Sequence, residues 1–377
     1  MKLSCTQENL NQGLMIVSHI VGKNNNLPIL SNVLIKAENK ILNFSTTNLE
    51  IGISVTIRGK VEEDGEFSVD AKLLSSYISL LPKDRIDLEL NGDNLKISCQ
   101  KQKTKIKGQN ASDFPLIPKI TKEKPYILSA KDFKNGISEV VFAAATSEIR
   151  PEISGVYIEF IGQNLVLAAT DSYRLAEKRI KVLENNRAGE SEKFIIPVKT
   201  LQEVSRILGI FKDDNVLEES ENVEIYLNEN QIMFSYNGVD LISRIIEGQY
   251  PDYKQIIPEG HTTQVKIDAS ELMKAVKTSS LFTKSGIYDI KLEINSENKE
   301  VIITSSSSQA GENISSVEAE ISGESNAIIL NYRYLLDGLQ NLDSNKALIE
   351  VSDSNNPCVI KSEASQDYLY LIMPIKQ

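Results

Sequence analysis

Histidine is nearly absent from this 377-residue sequence, with only His19 and His261 present. A Ser/His/Asp arrangement is therefore poorly supplied. The three cysteines, Cys5, Cys99 and Cys358, are far apart and form no CxxC pair. Neither a structural metal nor a disulfide framework is expected, and the cysteines read as buried reduced thiols. No GxGxxG follows a strand-like run, and no phosphate-binding loop ending in Gly-Lys-Ser or Gly-Lys-Thr occurs. Carboxylates are plentiful, yet none fall at a spacing that suggests a metal pair. Gly (19) and Pro (11) are sparse, so long disordered stretches are not expected. No apolar run approaches the roughly 20 residues needed to cross a bilayer. The first ten residues carry Lys, Glu, Asn and Gln, which predicts no secretory signal. Net charge is −11, which taken alone argues against nucleic acid as a partner. These absences predict a non-enzymatic, cytoplasmic protein without cofactor, metal or membrane.

What is present is a repeat. The length suits two or three domains, and three segments open alike: Thr6 to Leu10, Ser129 to Phe133 and Asp268 to Leu272. Each starts with a residue able to cap a helix N-terminus and places a large apolar residue four positions later. Glu271 adds a capping-box pattern to the third. Apolar residues follow at helical spacing: Leu10, Leu14, Val17 and Val21, then Phe133, Ile137, Val140 and Ala144. The third continues with Leu272 and Val276 and weakens to Ser279 and Thr283. Second helices are predicted around Leu74, Leu201 and Leu335, which lie 64, 68 and 63 residues beyond the first anchors. Strand pairs recur between the helices: 33–37 with 41–44, 156–160 with 165–168, and 290–294 with 301–304. The expected class is α+β, three tandem copies of a two-helix, antiparallel-sheet module over 1–122, 123–260 and 261–377.

Charge is segregated along the chain. Lys and Arg slightly outnumber Asp and Glu in the predicted helical segments, so the acid lies elsewhere. Lys23, Lys72, Lys131, Lys134, Arg150, Lys199, Arg206, Lys274, Lys277, Arg333 and Lys346 could form a mildly basic helical face. The alternating run from Lys101 to Lys107 reads as an edge strand, protected by charge and able to dock a second chain. Thr170-Asp-Ser-Tyr-Arg-Leu175 follows a buried-looking strand, where an Asx turn fits as well as a binding loop.

Taken with Leu27-Pro-Ile-Leu30, Asp113-Phe-Pro115, Tyr250-Pro-Asp-Tyr253 and Met373-Pro-Ile375, these residues resemble the bacterial DNA polymerase III β subunit family along the whole chain. The resemblance implies the DNA clamp fold: a head-to-tail homodimer closing a ring around duplex DNA, with the basic helical residues facing the DNA. The function implied is a sliding clamp, a processivity factor held on DNA topologically. A weakly basic lumen in an acidic shell suits this, because phosphate affinity grows with each neutralised charge and would impede sliding. Also implied is a pocket for short peptides of the polymerase III catalytic subunit, the clamp loader and other clamp-binding proteins. Its residues by motif match are Ile153, Thr170, Ser172, Tyr173, Arg174, Leu175, Pro251, Gln255, Ile256, Leu371, Met373, Pro374, Ile375 and Lys376, with Arg174 orienting the peptide. Thr104, Ile106, Leu281 and Phe282 are the implied dimer contacts. The competing reading is a repeat-built protein-interaction scaffold that never encircles DNA.

Overall fold

A computed structural model describes residues 1–22, 27–147, 149–187, 191–211, 221–284 and 286–376. Lys23 lies outside the described residues. Six helices are present among them: α1 (Gln7–Val17), α2 (Ala71–Ser79), α3 (Ala130–Val141), α4 (Val198–Ile210), α5 (Ala269–Ser280) and α6 (Tyr332–Gln340). Four start on a side chain that accepts an N–H of the first turn: Thr6 for α1, Asp70 for α2, Asp268 for α5 and Asn331 for α6. The Asp132 N–H donates to the Ser129 hydroxyl at 3.3 Å at the start of α3, as the repeat predicts. The predicted anchors Leu10, Leu74, Phe133, Leu201, Leu272 and Leu335 are all fully buried.

The helices are shorter than their apolar periodicity suggests. Val21 and Ala144 are buried, but they lie beyond the ends of α1 and α3. Arg150 therefore stands before a 3-10 turn and Lys346 in a strand, Lys346–Val351, where helical faces are expected for both. Ser279, where the third pattern weakens, is fully buried. Its hydroxyl donates to Asn313 at 2.9 Å, and its carbonyl accepts from Ser305 at 2.6 Å, so a polar group is tolerated there.

Each predicted hairpin forms. Asn32–Glu38 pairs with Ile41–Thr47, Gly155–Ile161 with Asn164–Thr170, and Asp289–Asn295 with Glu300–Ser307. In the first hairpin Asn39 and Lys40 both adopt positive φ, the twist a two-residue turn requires. Pro28 and Pro151 open short 3-10 turns just before two of these hairpins, where a fixed φ and missing N–H cost nothing.

The chain divides into two compact units, each built on one antiparallel sheet. One unit holds Met1–Lys134, Val182–Gly189 and Gln202–Ile245; the other holds Asn135–Lys181, Glu190–Leu201 and Ile246–Gln377. The middle module contributes residues to both. In the first unit, Val239–Arg244 pairs antiparallel with Ile51–Ile57, so strands of the first and middle modules share a fourteen-stranded sheet. In the second, Tyr368–Ile372 pairs with Arg174–Lys181, joining strands of the middle and last modules in a twelve-stranded sheet. The two joints are equivalent by repeat: the fourth strand of one module pairs with the last strand of the next.

Candidate partner-binding site

The Thr170–Leu175 segment turns between two strands of the second unit, and its shape is set by one carboxylate. Asp171 Oδ1 accepts the N–H of Tyr173 at 2.9 Å and of Arg174 at 3.0 Å. The Thr170 hydroxyl accepts from the Ser172 N–H at 3.1 Å and donates to the Arg174 carbonyl at 2.6 Å. Together these bonds hold Ser172 at φ 78°, a left-handed conformation that costs a non-glycine residue energy. Asn and Asp side chains commonly organise such turns, which is why the segment reads as one in the sequence.

The C-terminal tail is built onto this turn. Arg174 pairs with Ile372 and Leu175 with Leu371, after which the Met373 N–H donates to the Tyr173 carbonyl at 2.9 Å. Further along, the Ile375 N–H donates to the Ile329 carbonyl at 2.9 Å. Beneath the turn and tail lies a buried apolar cluster that includes Ile153, Ala168, Leu175, Tyr250, Tyr253 and Leu371, with Met373 packed against it. Tyr157, Tyr250 and Tyr253 meet with ring centroids 5.2 to 6.3 Å apart, within the favourable range for aromatic pairs. The buried Tyr253 hydroxyl donates to Glu177 at 2.7 Å; burial first, and then Glu177, push its pKa up.

The residues carried over by motif thus form layers. Ile153, Thr170, Leu175 and Leu371 are buried and form a floor. Pro251, Met373, Pro374 and Ile375 are half-buried, while Ser172, Tyr173, Gln255, Ile256 and Lys376 are exposed. Gln255 turns back to donate to Asp252 at 2.8 Å.

Arg174 is engaged within its own unit. Its side chain is only 12% exposed and points inward. Nε donates to Asp171 Oδ2 at 3.0 Å, Nη1 to Asp337, and Nη2 to the Phe142 carbonyl at 2.8 Å. The guanidinium also lies 4.6 Å from the centre of the Tyr334 ring. Burial works against the charge, but Tyr370, Asp337 and Asp171 outweigh it and the pKa is raised. Asp171, Tyr250 and Tyr253 stand within the quoted motifs without being assigned to the pocket, so a signal existed for them; Tyr157, Tyr334 and Asp337 had none.

The basic residues divide into two groups. Lys72, Lys131, Lys199, Lys274 and Lys277 are exposed on α2 to α5, and no ion pair involves them among the described residues; Lys134 is half-buried. Four others are engaged. Arg206 donates to the Met15 and Ile16 carbonyls and to Glu203, and Arg333 stacks 3.7 Å from the centre of the Tyr288 ring. Arg150 donates to Glu152 and to Ser172 beside the turn, and Lys346 donates to Glu320. His19 is bonded to the buried Glu203 at 2.7 Å.

Besides the outermost strands of the two sheets, two strands are left largely unpaired on one side among the described residues. Gln102–Gln109 pairs with Asn94–Cys99, but meets Gly65–Asp70 only through Gly108 and Gln109. Lys103, Lys105 and Lys107 are exposed along it; Thr104 is half-buried, and Ile106 is buried within its own unit. Gly311–Gly323 pairs with Glu300–Ser307, and with Thr263–Asp268 only through residues 319–323. Its exposed face carries Glu312, Ile314, Ser316 and Glu318. Large exposed apolar residues lie on each unit: Leu73 and Leu80 near the ends of α2, and Leu281 and Ile287 after α5, with Phe282 half-buried.

Comparison with known proteins covers the whole chain. Models of the N-terminal, central and C-terminal domains of the DNA polymerase III beta subunit match residues 1–118, 127–252 and 254–376. The beta sliding clamp of Synechococcus elongatus is 30% identical over 381 residues, covering 100% of this chain and 99% of that protein. The crystal structure of a DNA polymerase sliding clamp from Bacillus subtilis superposes with TM-score 0.91 at 26% identity, covering 100% of this chain and 99% of that one. A DNA polymerase III beta subunit from Thermotoga maritima gives 0.90 at 26% identity, with the same coverage. A scaffold that never encircles DNA is not favoured by these matches. The chain belongs to the DNA polymerase III beta subunit family, the non-catalytic sliding clamps of DNA replication.

Proposed function

We propose that two copies of this chain close head to tail into a ring around duplex DNA and tether replication proteins to it. The observation that carries this reading is the repeat of strand joints. The fourth strand of the first module pairs with the last of the second, and the fourth strand of the second with the last of the third. The fourth strand of the last module, Gly311–Gly323, and the last strand of the first, Gln102–Gln109, keep open edges. A second copy supplies the missing partner, and repeating the same joint closes the ring. The edges are complementary in charge, lysines on one and glutamates on the other, which favours register and orientation. Leu73, Leu80, Leu281, Phe282 and Ile314 supply the apolar contact, and Thr104 lies within the seam. Ile106 contributes from beneath, because it faces its own core.

In this reading the modules run over 1–122, 123–260 and 261–377. Lys72, Lys131, Lys199, Lys274 and Lys277 meet the phosphates. The turn at 170–175 and the tail at 371–376 form an apolar groove for short peptides of the polymerase III catalytic subunit, the clamp loader and other clamp-binding proteins. The protein acts in the cytoplasm, where chromosome replication takes place. The test is sedimentation of purified protein. Wild type is expected as a dimer, Lys103, Lys105 and Lys107→Glu as a monomer, and an equimolar mixture with Glu312 and Glu318→Lys as a dimer again. A wild-type monomer at micromolar concentration rejects the ring.

A further inference from the structure

We infer that Asp337 is a positioning residue for the peptide groove, acting through Arg174 and without touching the peptide. The inference rests on the proposed use of the 170–175 and 371–376 segments, and it concerns what holds them in place. Arg174 is spent on internal contacts. Its fork bridges Asp171 in the turn, the Phe142 carbonyl just after α3, and Asp337 on α6, while its flat face covers Tyr334. A planar guanidinium can satisfy several directions at once in a fixed geometry.

The chain of consequence is short. Asp171 holds the N–H groups of Tyr173 and Arg174 and keeps Ser172 in its left-handed conformation. The Tyr173 carbonyl then receives the Met373 N–H, which sets where the tail runs. Asp337 is 163 residues away in sequence and 41% exposed, so its carboxylate can be altered without opening a core. Its loss leaves Arg174 without its charged partner on α6. The guanidinium then pulls on Asp171, and the turn and tail lose their common brace.

The inference predicts the opposite sign from the expected role of Arg174 as a peptide-orienting charge. If Arg174 contacts the peptide, freeing it in Asp337→Asn strengthens binding or leaves it unchanged. If Arg174 is a brace, binding weakens. The probe is a fluorescein-labelled leucine-rich pentapeptide, chosen to match an apolar floor. Anisotropy is read beside the hydrogen-exchange rate of the Met373 amide.

For Asp337→Asn the expected result is at least a tenfold loss of affinity and at least a tenfold faster Met373 exchange, with the unfolding midpoint unchanged. Asp337→Glu is expected to recover most of both. Arg174→Lys keeps the charge but loses the fork, and is expected to behave like Asp337→Asn. Unchanged exchange at Met373 in both Asp337→Asn and Arg174→Lys, or peptide binding that is tighter or unchanged in Asp337→Asn, overturns the inference. If wild type fails to bind the peptide, the groove reading falls, and the exchange measurement still decides the role of Asp337.

Discussion

Close packing makes single atoms decisive around the tail. Tyr370 is fully buried against α6, and a Cβ at Gly338 would lie 2.3 Å from its ring. The ring is fixed on other sides, because its hydroxyl donates to the Tyr334 carbonyl at 2.9 Å and Phe142 lies 5.4 Å away. Gly338→Ala is therefore expected to cost about 1–3 kcal/mol despite the better helix propensity of alanine, read as a lower urea midpoint at unchanged m-value. The thiols are another matter of burial. Desolvation pushes Cys5 up to about 11 and Cys358 to about 12, from 9.0. Raised values mean that stability is full below pH 9, where the unfolded thiols stay protonated, and falls as pH rises toward the folded values. At pH 8 all three buried cysteines are expected to resist iodoacetamide in the native protein and react fully in urea, counted by mass.

At the level of elements, the sequence was most readable where structure is local. Capping residues, the 3.6 period and the hairpin turns each depend on near neighbours: the helix caps appear at Thr6 and Asp268, and the first hairpin between 33–37 and 41–44, as expected. Helix ends were less readable: Val21 and Ala144 keep the apolar period but are buried as loop residues. Edge strands give a sharper test. Leu281 is 74% exposed on its own unit, and Ile287, six residues on, is 49% exposed. Leu281→Ala with Phe282→Ala is expected to yield folded monomers by sedimentation, because both side chains lie on the face proposed to be covered by a second copy. A dimer of unchanged stability removes this face from the seam.

For the whole molecule, an acidic protein that acts on DNA needs its few unpaired cations in the right places. Lys72, Lys131, Lys199, Lys274 and Lys277 are the ones proposed to meet the phosphates, and none is spent on an ion pair among the described residues. Changing these five to Glu is expected to abolish clamp-loader-dependent retention on nicked circular DNA. Arg206→Ala is expected instead to lower stability, because Arg206 holds the Met15 and Ile16 carbonyls at the end of α1. Retention that survives the five lysine changes would count against a DNA-facing role for these helices.

By itself the sequence determined the threefold module, its helix starts, its hairpins and its family, because these rest on spacing and on neighbours within a few residues. It also singled out the 170–175 turn. Only the tertiary structure decided what that turn is attached to. Arg174 meets Asp337, and Leu175 meets Leu371, across separations no periodicity records. The open edge of Gly311–Gly323 is of the same kind: a strand is free only when every other strand has found its partner, which is a property of the whole sheet.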